Sequence, residues 1–210
     1  MLEQLEKFKF IFITATDTNI GKTAVSIYIS KYFSENKNLS VGYYKPIQTG
    51  DTGIEDEVDV LTVKKHCPKV KTHCTYSFKL AATPELAAKQ EDSYIDFQKI
   101  KDDLENFSKD KDIVLIEGAG GLFVPIGQNK TMANLIKYLN IPCLLVSANK
   151  LGTINHSCLS LYYMKSLELK IIGFCFFNPS NQNSDEKKVL KTNADFIESY
   201  SNCKFLGEVI

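Results

Sequence analysis

Short, mostly apolar runs recur along the chain and are separated by longer, more polar stretches. These runs lie at residues 8–13, 41–44, 112–117, 142–147 and 171–177, with a shorter one at 205–206. A strand that is apolar on both sides is typical of a parallel sheet covered on both faces. We therefore predict six buried strands.

Between these runs, apolar residues recur at intervals of three and four, which is typical of a helix with one buried face. Helices are predicted directly after residue 23 and at residues 83–89, 94–107, 131–139, 154–167 and 184–200. Strands that alternate with helices predict an α/β fold, with a mostly parallel sheet and helices on both faces.

At 210 residues, the chain has the length of one domain, residues 1–210. Two polar stretches, residues 50–57 and 178–184, are predicted to be surface loops rather than domain boundaries. We expect a single domain with a core of ordinary size.

Charge and composition narrow the functional classes. Lys and Arg total 25 and Asp and Glu total 25, so the formal net charge is zero. Without a basic excess, neither a nucleic acid nor an anionic membrane surface is expected as the main partner. The apolar runs are too short to span a membrane or to form a signal peptide. We expect a cytoplasmic protein whose six cysteines are reduced.

The first polar segment after a predicted strand carries a phosphate-binding pattern. In parallel sheets, ligands bind at the carboxyl ends of the strands, and Gly21-Lys22-Thr23 lies between such an end and a helix. Backbone N–H groups there would bind phosphate oxygens, while Lys22 reaches the β- and γ-phosphates and Thr23 binds Mg²⁺. The standard P-loop pattern requires glycine where this chain has Thr16. The alternative is a helix start with an incidental lysine.

A second lysine follows the second predicted strand. Pro46 lacks an N–H and favours an extended conformation at Lys45. The Lys45 amine would then lie at the carboxyl edge of the sheet, where a second cation can stabilise charge during phosphoryl transfer. The alternative is an exposed lysine before a turn.

Two acidic residues are candidate metal ligands. Glu117 ends an apolar run and is followed by four small residues, 118–121, which allow a ligand to approach the backbone closely. A carboxylate at that place beside a P-loop is suited to hold Mg²⁺. Asp59 is the second candidate, although neighbouring acidic residues at 55–57 also fit a solvated face.

Five sequence motifs follow one another along the chain. They are TDTNIGKT at residues 16–23, YKPIQTG at 44–50, EGAGGLFVPI at 117–126, KLGTINH at 150–156 and LGE at 206–208. In these motifs and their order, the chain resembles the dethiobiotin synthetase family, the P-loop cyclo-ligases of biotin biosynthesis. The resemblance covers almost the whole chain.

The resemblance implies a reaction and a set of site residues. A nucleoside triphosphate (ATP, or else GTP or CTP) would drive ring closure on 7,8-diaminononanoate and CO₂ with Mg²⁺. The implied catalytic residues are Lys45, Lys22 and Thr18. The implied nucleotide-binding residues are Asn19, Ile20, Gly21, Lys22, Thr23, Ala24, Asp59, Glu117, Gly118, Ala119, Gly120 and Asn178. The implied metal ligands are Thr23, Asp59 and Glu117, and the implied substrate contacts are Thr49, Gly152, Thr153, Ile154 and Asn155.

The resemblance also implies a homodimer, because the family's loop at residues 152–155 serves the neighbouring subunit's site. This chain departs from the family at two P-loop positions: Ala15 replaces a glycine and Asn19 replaces a glutamate. The preference among ATP, GTP and CTP stays open.

One alternative function of another class also stays open, a dimeric P-loop switch ATPase of the partitioning type. Those proteins usually carry an extra lysine early in the P-loop, and residues 15–19 of this chain contain none.

Overall fold

A computed structural model describes residues 1–54, 58–178 and 192–209. Nine strands are present in these residues. They are β1 (Phe10–Ala15), β2 (Val41–Thr49), β3 (Lys71–Phe78), β4 (Ile113–Gly121), β5 (Pro125–Gly127), β6 (Lys130–Thr131), β7 (Cys143–Ala148), β8 (Ile171–Phe177) and β9 (Phe205–Val209). Seven of them form one sheet in the order β3-β2-β4-β1-β7-β8-β9, and every neighbouring pair is parallel.

Helices connect the strands. They are α1 (Leu2–Leu5), α2 (Lys22–Lys31), α3 (Asp59–His66), α4 (Pro84–Gln90), α5 (Phe97–Phe107), α6 (Met132–Leu139), α7 (Thr153–Ser166) and α8 (Asn193–Ser201). A short π-helical segment, Tyr32–Asn36, extends α2. No helix in the described residues is long and apolar enough to cross a membrane.

The core lies on both faces of the main sheet, because successive side chains of a strand point to opposite sides. Along β1, Phe12 belongs to one buried cluster, while Ile11 and Ile13 belong to the other. This arrangement confirms the predicted α/β fold with helices on both faces. It also explains why these strands read as uninterrupted apolar runs.

Two strands continue past their apolar runs. The sequence pattern ends the second strand at residue 44, but β2 runs to Thr49 and includes Lys45. Similarly, the third apolar run ends at Glu117, but β4 continues through the small residues that follow to Gly121. Residues 45–49 and 118–121 are therefore strand rather than the loops expected after the apolar runs, because parallel pairing to neighbouring strands tolerates polar and small residues at the end of the sheet.

The edge strand β3 was not predicted. It pairs with β2 over most of its length, but it mixes His, Cys, Thr and Ser with only two aromatic residues, and most of its side chains are half-buried. An edge strand has one unpaired side and needs no continuous apolar run. The two-stranded β5–β6 hairpin was also not predicted.

The predicted helices match α2, α4, α5, α6 and α7 to within a few residues. Of the helix predicted at 184–200, the part from residue 193 onward is α8, and residues 184–191 lie outside the described residues. The loop predicted at 178–184 lies outside them except for Asn178. The loop at 50–57 is described up to residue 54.

Candidate functional site

The P-loop joins the central strand β1 to the start of α2. Gly21 precedes the helix with φ of 94°, and a Cβ there would lie 2.2 Å from the Phe177 ring, so only glycine fits. Asn19 has φ of 56°, a left-handed conformation that asparagine tolerates better than most residues. Ala15 ends β1 in extended backbone and is fully buried, so its methyl group causes no backbone strain.

A cleft of about 450 Å³ opens beside this loop at the carboxyl edge of the sheet. It brings together residues from the P-loop, β2, α3, β4 and β8. Its lining is Thr18, Asn19, Gly21, Lys22, Thr23, Lys45, Ile47, Gln48, Thr49, Asp59, Glu117, Ala119, Gly120 and Phe177. All three proposed catalytic residues and all three proposed metal ligands line this one cleft.

A buried charge cluster forms the floor of the cleft. The Lys45 Nζ lies 3.0 Å from Glu117 Oε1 and 2.6 Å from Asp59 Oδ2. Lys45 is 3 % exposed and Glu117 is fully buried. Two carboxylates therefore share one ammonium group. Water barely reaches the Lys45–Glu117 pair, whereas the Asp59 side chain is 30 % exposed.

The pKa values follow from this cluster. Burial alone would lower the pKa of Lys45, but the charges of Glu117 and Asp59 outweigh burial and raise it. Burial alone would raise the pKa of Asp59, but the Lys45 charge and hydrogen bonds from Lys45 and Thr23 hold it below its ordinary value. Lys45 is therefore cationic throughout the neutral range.

Lys22 has a different environment, although its side chain enters the same cleft. Its Nζ lies 3.2 Å from the carbonyl oxygen of Asp17. No carboxylate of the described residues forms a salt bridge with it. Burial, followed by repulsion from Lys45, lowers the pKa of Lys22 from 10.5 to about 8. The free protein therefore holds a cation that lacks a direct anionic partner.

The oxygen atoms of three side chains converge at one point of the cleft. The Thr23 hydroxyl lies 2.8 Å from Asp59 Oδ1 and 3.0 Å from Glu117 Oε1. Mg²⁺ prefers carboxylate and hydroxyl oxygens, completed by phosphate and water, so this donor set fits it. Within the described ranges there is no group of three or more His, Cys, Asp or Glu side chains that could hold a metal on its own. A metal here would thus depend on the nucleotide for further ligands.

Sequence reasoning missed two buried hydroxyl groups beside Glu117. Ser26 Oγ donates to Glu117 Oε2 at 2.7 Å from the α2 side. The Tyr43 hydroxyl is buried without a hydrogen-bond partner in the described structure, and burial followed by the Glu117 and Asp59 charges raises its pKa. The available signal was spacing, because Ser26 lies four residues after Lys22 on α2, and Tyr43 lies two residues before Lys45 on β2.

The remaining predicted residues lie around the cleft rather than in it. Ile20 is buried under the P-loop, Ala24 is in the first turn of α2, and Gly118 is in β4. Asn178 follows β8, and its Nδ2 donates to Glu208 Oε2 at 2.7 Å.

The predicted substrate loop lies at the start of α7. Gly152 precedes this helix with φ of 88°, and Thr153, Ile154 and Asn155 form its first turn. Among the described residues, these four do not line the cleft of their own chain. Leu151, directly before them, is 94 % exposed.

Solved structures with a similar fold include an ATPase and a cell division protein complex. A ParA family ATPase from Chlorobium tepidum matches with a TM-score of 0.60 and 10 % identity, covering 97 % of this chain and 84 % of that one. A MinC:MinD complex from Aquifex aeolicus matches with a TM-score of 0.61 and 13 % identity, covering 96 % of this chain and 81 % of that one. At such low identity the likeness shows the fold alone, which confirms the P-loop NTPase-like architecture.

Sequence relatives identify the family. A family model described as "AAA domain" matches residues 9–209. The ATP-dependent dethiobiotin synthetase BioD of Brachyspira hyodysenteriae is 37 % identical, with 96 % of this chain and 92 % of the relative covered. The enzyme of the same name from Methanococcus vannielii is 36 % identical, with 95 % of this chain and 92 % of the relative covered. The enzyme of that name from Bacillus subtilis is 31 % identical, with 93 % of this chain and 84 % of the relative covered. Given this identity along nearly the whole chain, the chain belongs to the dethiobiotin synthetase family.

Proposed function

We propose that this chain is a ligase that closes the cyclic urea of dethiobiotin from 7,8-diaminononanoate and CO₂ with the energy of ATP. One observation carries the proposal: the buried Lys45–Glu117–Asp59 cluster lies in the same cleft as the P-loop. Phosphoryl transfer needs positioned charges more than a nucleophilic side chain. The cleft supplies such charges.

The reaction balances without a covalent enzyme intermediate. One substrate amine takes up CO₂ and loses a proton, which gives a carbamate. A carbamate oxygen then attacks the γ-phosphorus, the bond to the β-phosphate oxygen breaks, and a carbamic–phosphoric anhydride and ADP result. The second amine attacks the carbonyl carbon and loses a proton, the bond from that carbon to the phosphate oxygen breaks, phosphate leaves, and the ring closes.

The side chains of the cleft have distinct tasks in this scheme. The P-loop amides and Lys22 bind the phosphates, and the buried Lys45 neutralises charge shared by the γ-phosphate and the carbamate. Thr23, Asp59 and Glu117 would hold Mg²⁺, which lowers the negative charge on the phosphate oxygens when bound. Thr18 and Thr49 line the cleft with hydroxyl groups suited to contact the diamine and its carbamate.

We assign the nucleotide base to Asn178, which directly follows β8. The Asn178 Oδ1 is buried without a hydrogen-bond partner among the described residues, while its Nδ2 is held by Glu208. A buried acceptor without a donor is costly, and the amino group of adenine or cytosine would supply that donor. This favours ATP or CTP over GTP.

We also propose a cytoplasmic homodimer in which residues 152–155 serve the partner's cleft. The start of α7 offers free N–H groups to a carboxylate. Leu151, directly before this segment, is 94 % exposed, and Phe123, which follows β4, is 67 % exposed. A second copy of the chain would cover both side chains. The six cysteines are all free, as expected in a reducing compartment.

The deciding experiment measures phosphate release with the diamine, ¹³C-bicarbonate and Mg²⁺, with ATP, CTP and GTP in separate reactions. We expect release that depends on the diamine, with one labelled carbon in the cyclic product per phosphate. The control is Lys22→Met, which keeps the side-chain length but loses the phosphate-binding cation. Nucleotide turnover that ignores the diamine would contradict the proposal and would favour the partitioning-type switch ATPase.

Complementation tests the shared loop. Lys22→Met disables the P-loop of its own chain, and Asn155→Ala disables the loop donated to the partner. If each site uses both chains, a random mixture of the two inactive variants regains about a quarter of the wild-type activity, since each mixed dimer has one intact site. Mixing Lys22→Met with a second P-loop variant is the matched control and should restore nothing. If the Asn155 mixture also restores nothing, the loop serves its own chain.

A further inference from the structure

Ser26 is a buried side chain in contact with Glu117, one of the proposed metal ligands, and the proposed mechanism gives it no role. It lies in the second turn of α2 and is fully buried. Its Oγ is 2.7 Å from Glu117 Oε2, across the boundary between α2 and β4. A polar contact at this depth is costly to build unless both partners are satisfied.

Glu117 has its two carboxylate oxygens in separate environments. Oε1 accepts hydrogen bonds from Lys45 Nζ and from the Thr23 hydroxyl, each at 3.0 Å. Among the hydrogen bonds of the described residues, Oε2 receives only Ser26. Ser26 therefore fixes the plane of the carboxylate, because without this hydrogen bond the group could turn about its terminal bond and move Oε1 away from its present position in the cleft.

The Ser26 hydroxyl has one hydrogen and two acceptors within reach. The Lys22 carbonyl oxygen lies at 2.9 Å and the Glu117 oxygen at 2.7 Å. Hydrogen bonds to an ionised acceptor are shorter and roughly twice as strong as neutral ones, so the carboxylate is the favoured acceptor. The Lys22 carbonyl oxygen does not need the Ser26 hydrogen bond, since a backbone carbonyl in a helix already accepts one from the N–H group four residues later.

We propose that Ser26 is a positioning residue that orients Glu117 for metal binding. This inference rests on the proposed function only in that it assumes a metal–nucleotide complex in the cleft. Partners that orient a metal ligand through a hydrogen bond typically contribute tenfold to a hundredfold to metal affinity. Ser26 does not touch the substrate or the metal, and it acts through Glu117.

The test measures metal binding directly. Mn²⁺ is titrated into wild-type protein and Ser26→Ala in the presence of ADP, and free Mn²⁺ is read by electron paramagnetic resonance. We expect about tenfold or more weaker Mn²⁺ binding in Ser26→Ala. The affinity for ADP without metal should change much less, because the P-loop amides and Lys22 are intact.

Ser30→Ala is a matched control. Ser30 lies one turn further along the same helix and is equally buried, and its hydroxyl has no hydrogen-bond partner in the described structure. We expect wild-type Mn²⁺ binding in this variant. Equal weakening in both variants would mean a general effect on α2 and would overturn the inference, as would unchanged binding in Ser26→Ala.

Ser26→Cys covers the case in which Ser26→Ala does not fold. The thiol is close to the hydroxyl in size but is a weak donor, so it fills the space without a strong bond to Glu117. Weakened Mn²⁺ binding in Ser26→Cys supports the inference, and unchanged binding contradicts it. Since the diamine is absent from these titrations, a failure of the proposed ring closure would leave this result independent.

Discussion

Replacement of Lys45 by methionine is expected to destabilise the nucleotide-free protein by about 3–5 kcal/mol and to abolish activity. Removing one partner from a buried ion pair leaves an uncompensated charge, which is among the largest effects of a single substitution. Here the loss would leave two carboxylates facing each other, one of them on the fully buried Glu117. Chemical denaturation, followed at neutral pH without metal or nucleotide, measures the change in the free energy of unfolding.

Lys111→Met is the matched control for Lys45→Met. Lys111 is 7 % exposed, much like Lys45, but it pairs with Asp110, whose side chain is 80 % exposed. Water can solvate that carboxylate when its partner is removed, so we expect a change under about 1 kcal/mol. A second check places Lys45→Met in a Glu117→Gln background, where the destabilisation should shrink. Equal effects of Lys45→Met and Lys111→Met would contradict this account.

Replacement of Lys22 by methionine is expected to have the opposite effect on stability. The variant should lose nucleotide binding but gain roughly 1–3 kcal/mol in the free energy of unfolding, because the folded protein no longer buries an unpaired cation. Lys22 is 7 % exposed, and its Nζ contacts only a backbone oxygen among the described residues. Binding sites commonly hold such destabilising groups, which the ligand then compensates.

The pH dependence gives the sign of the Lys22 effect independently. The folded-state pKa of about 8 lies below the ordinary 10.5. Below pH 8, Lys22 is protonated in both the folded and the unfolded protein, so burial of its charge lowers the free energy of unfolding in full. Between pH 8 and 10.5 the unfolded protein binds more protons than the folded one, so the free energy of unfolding rises with pH. The advantage of Lys22→Met over wild type should therefore shrink to about half near pH 9.3, midway between about 8 and 10.5. Lys31→Met, an exposed lysine on the same helix, should show no such trend, and a constant advantage for Lys22→Met would contradict the explanation.

The chemistry of the cleft was largely predictable because it follows the strands. The hydrophobic runs locate the carboxyl ends of β1, β2 and β4, and in a parallel sheet those ends share one edge. Lys22, Lys45 and Glu117 could be assigned to one site on that ground alone. Asp59 was harder, because neighbouring acidic residues at 55–57 suggest a solvated face. Its contact with Lys45 depends on how α3 packs, and no local pattern expresses that packing.

Other features were out of reach for a related reason. The edge strand β3 has no continuous apolar run, since only one of its sides is paired. Ser26 looks like any serine within a helix, and its contact with Glu117 joins residues 91 positions apart. The extension of β2 to Thr49 and of β4 to Gly121 arises from pairing between strands. All three depend on contacts that are distant in sequence.

The two halves of the cleft differ in how freely their sequence can change during evolution. Lys45 and Glu117 stand inside paired strands and support each other, so a change to either one affects both folding and chemistry. Thr18, Gly152, Asn155 and Asn178 stand in loops or at a helix start and are not fully buried, so substitutions there disturb little of the core. Under the proposed function, selection can therefore alter the contacts to the base or to the substrate chain while the charged floor stays constant. Substitutions are therefore tolerated better in the loops, whereas Lys45 and Glu117 in the sheet are constrained both by folding and by the proposed chemistry.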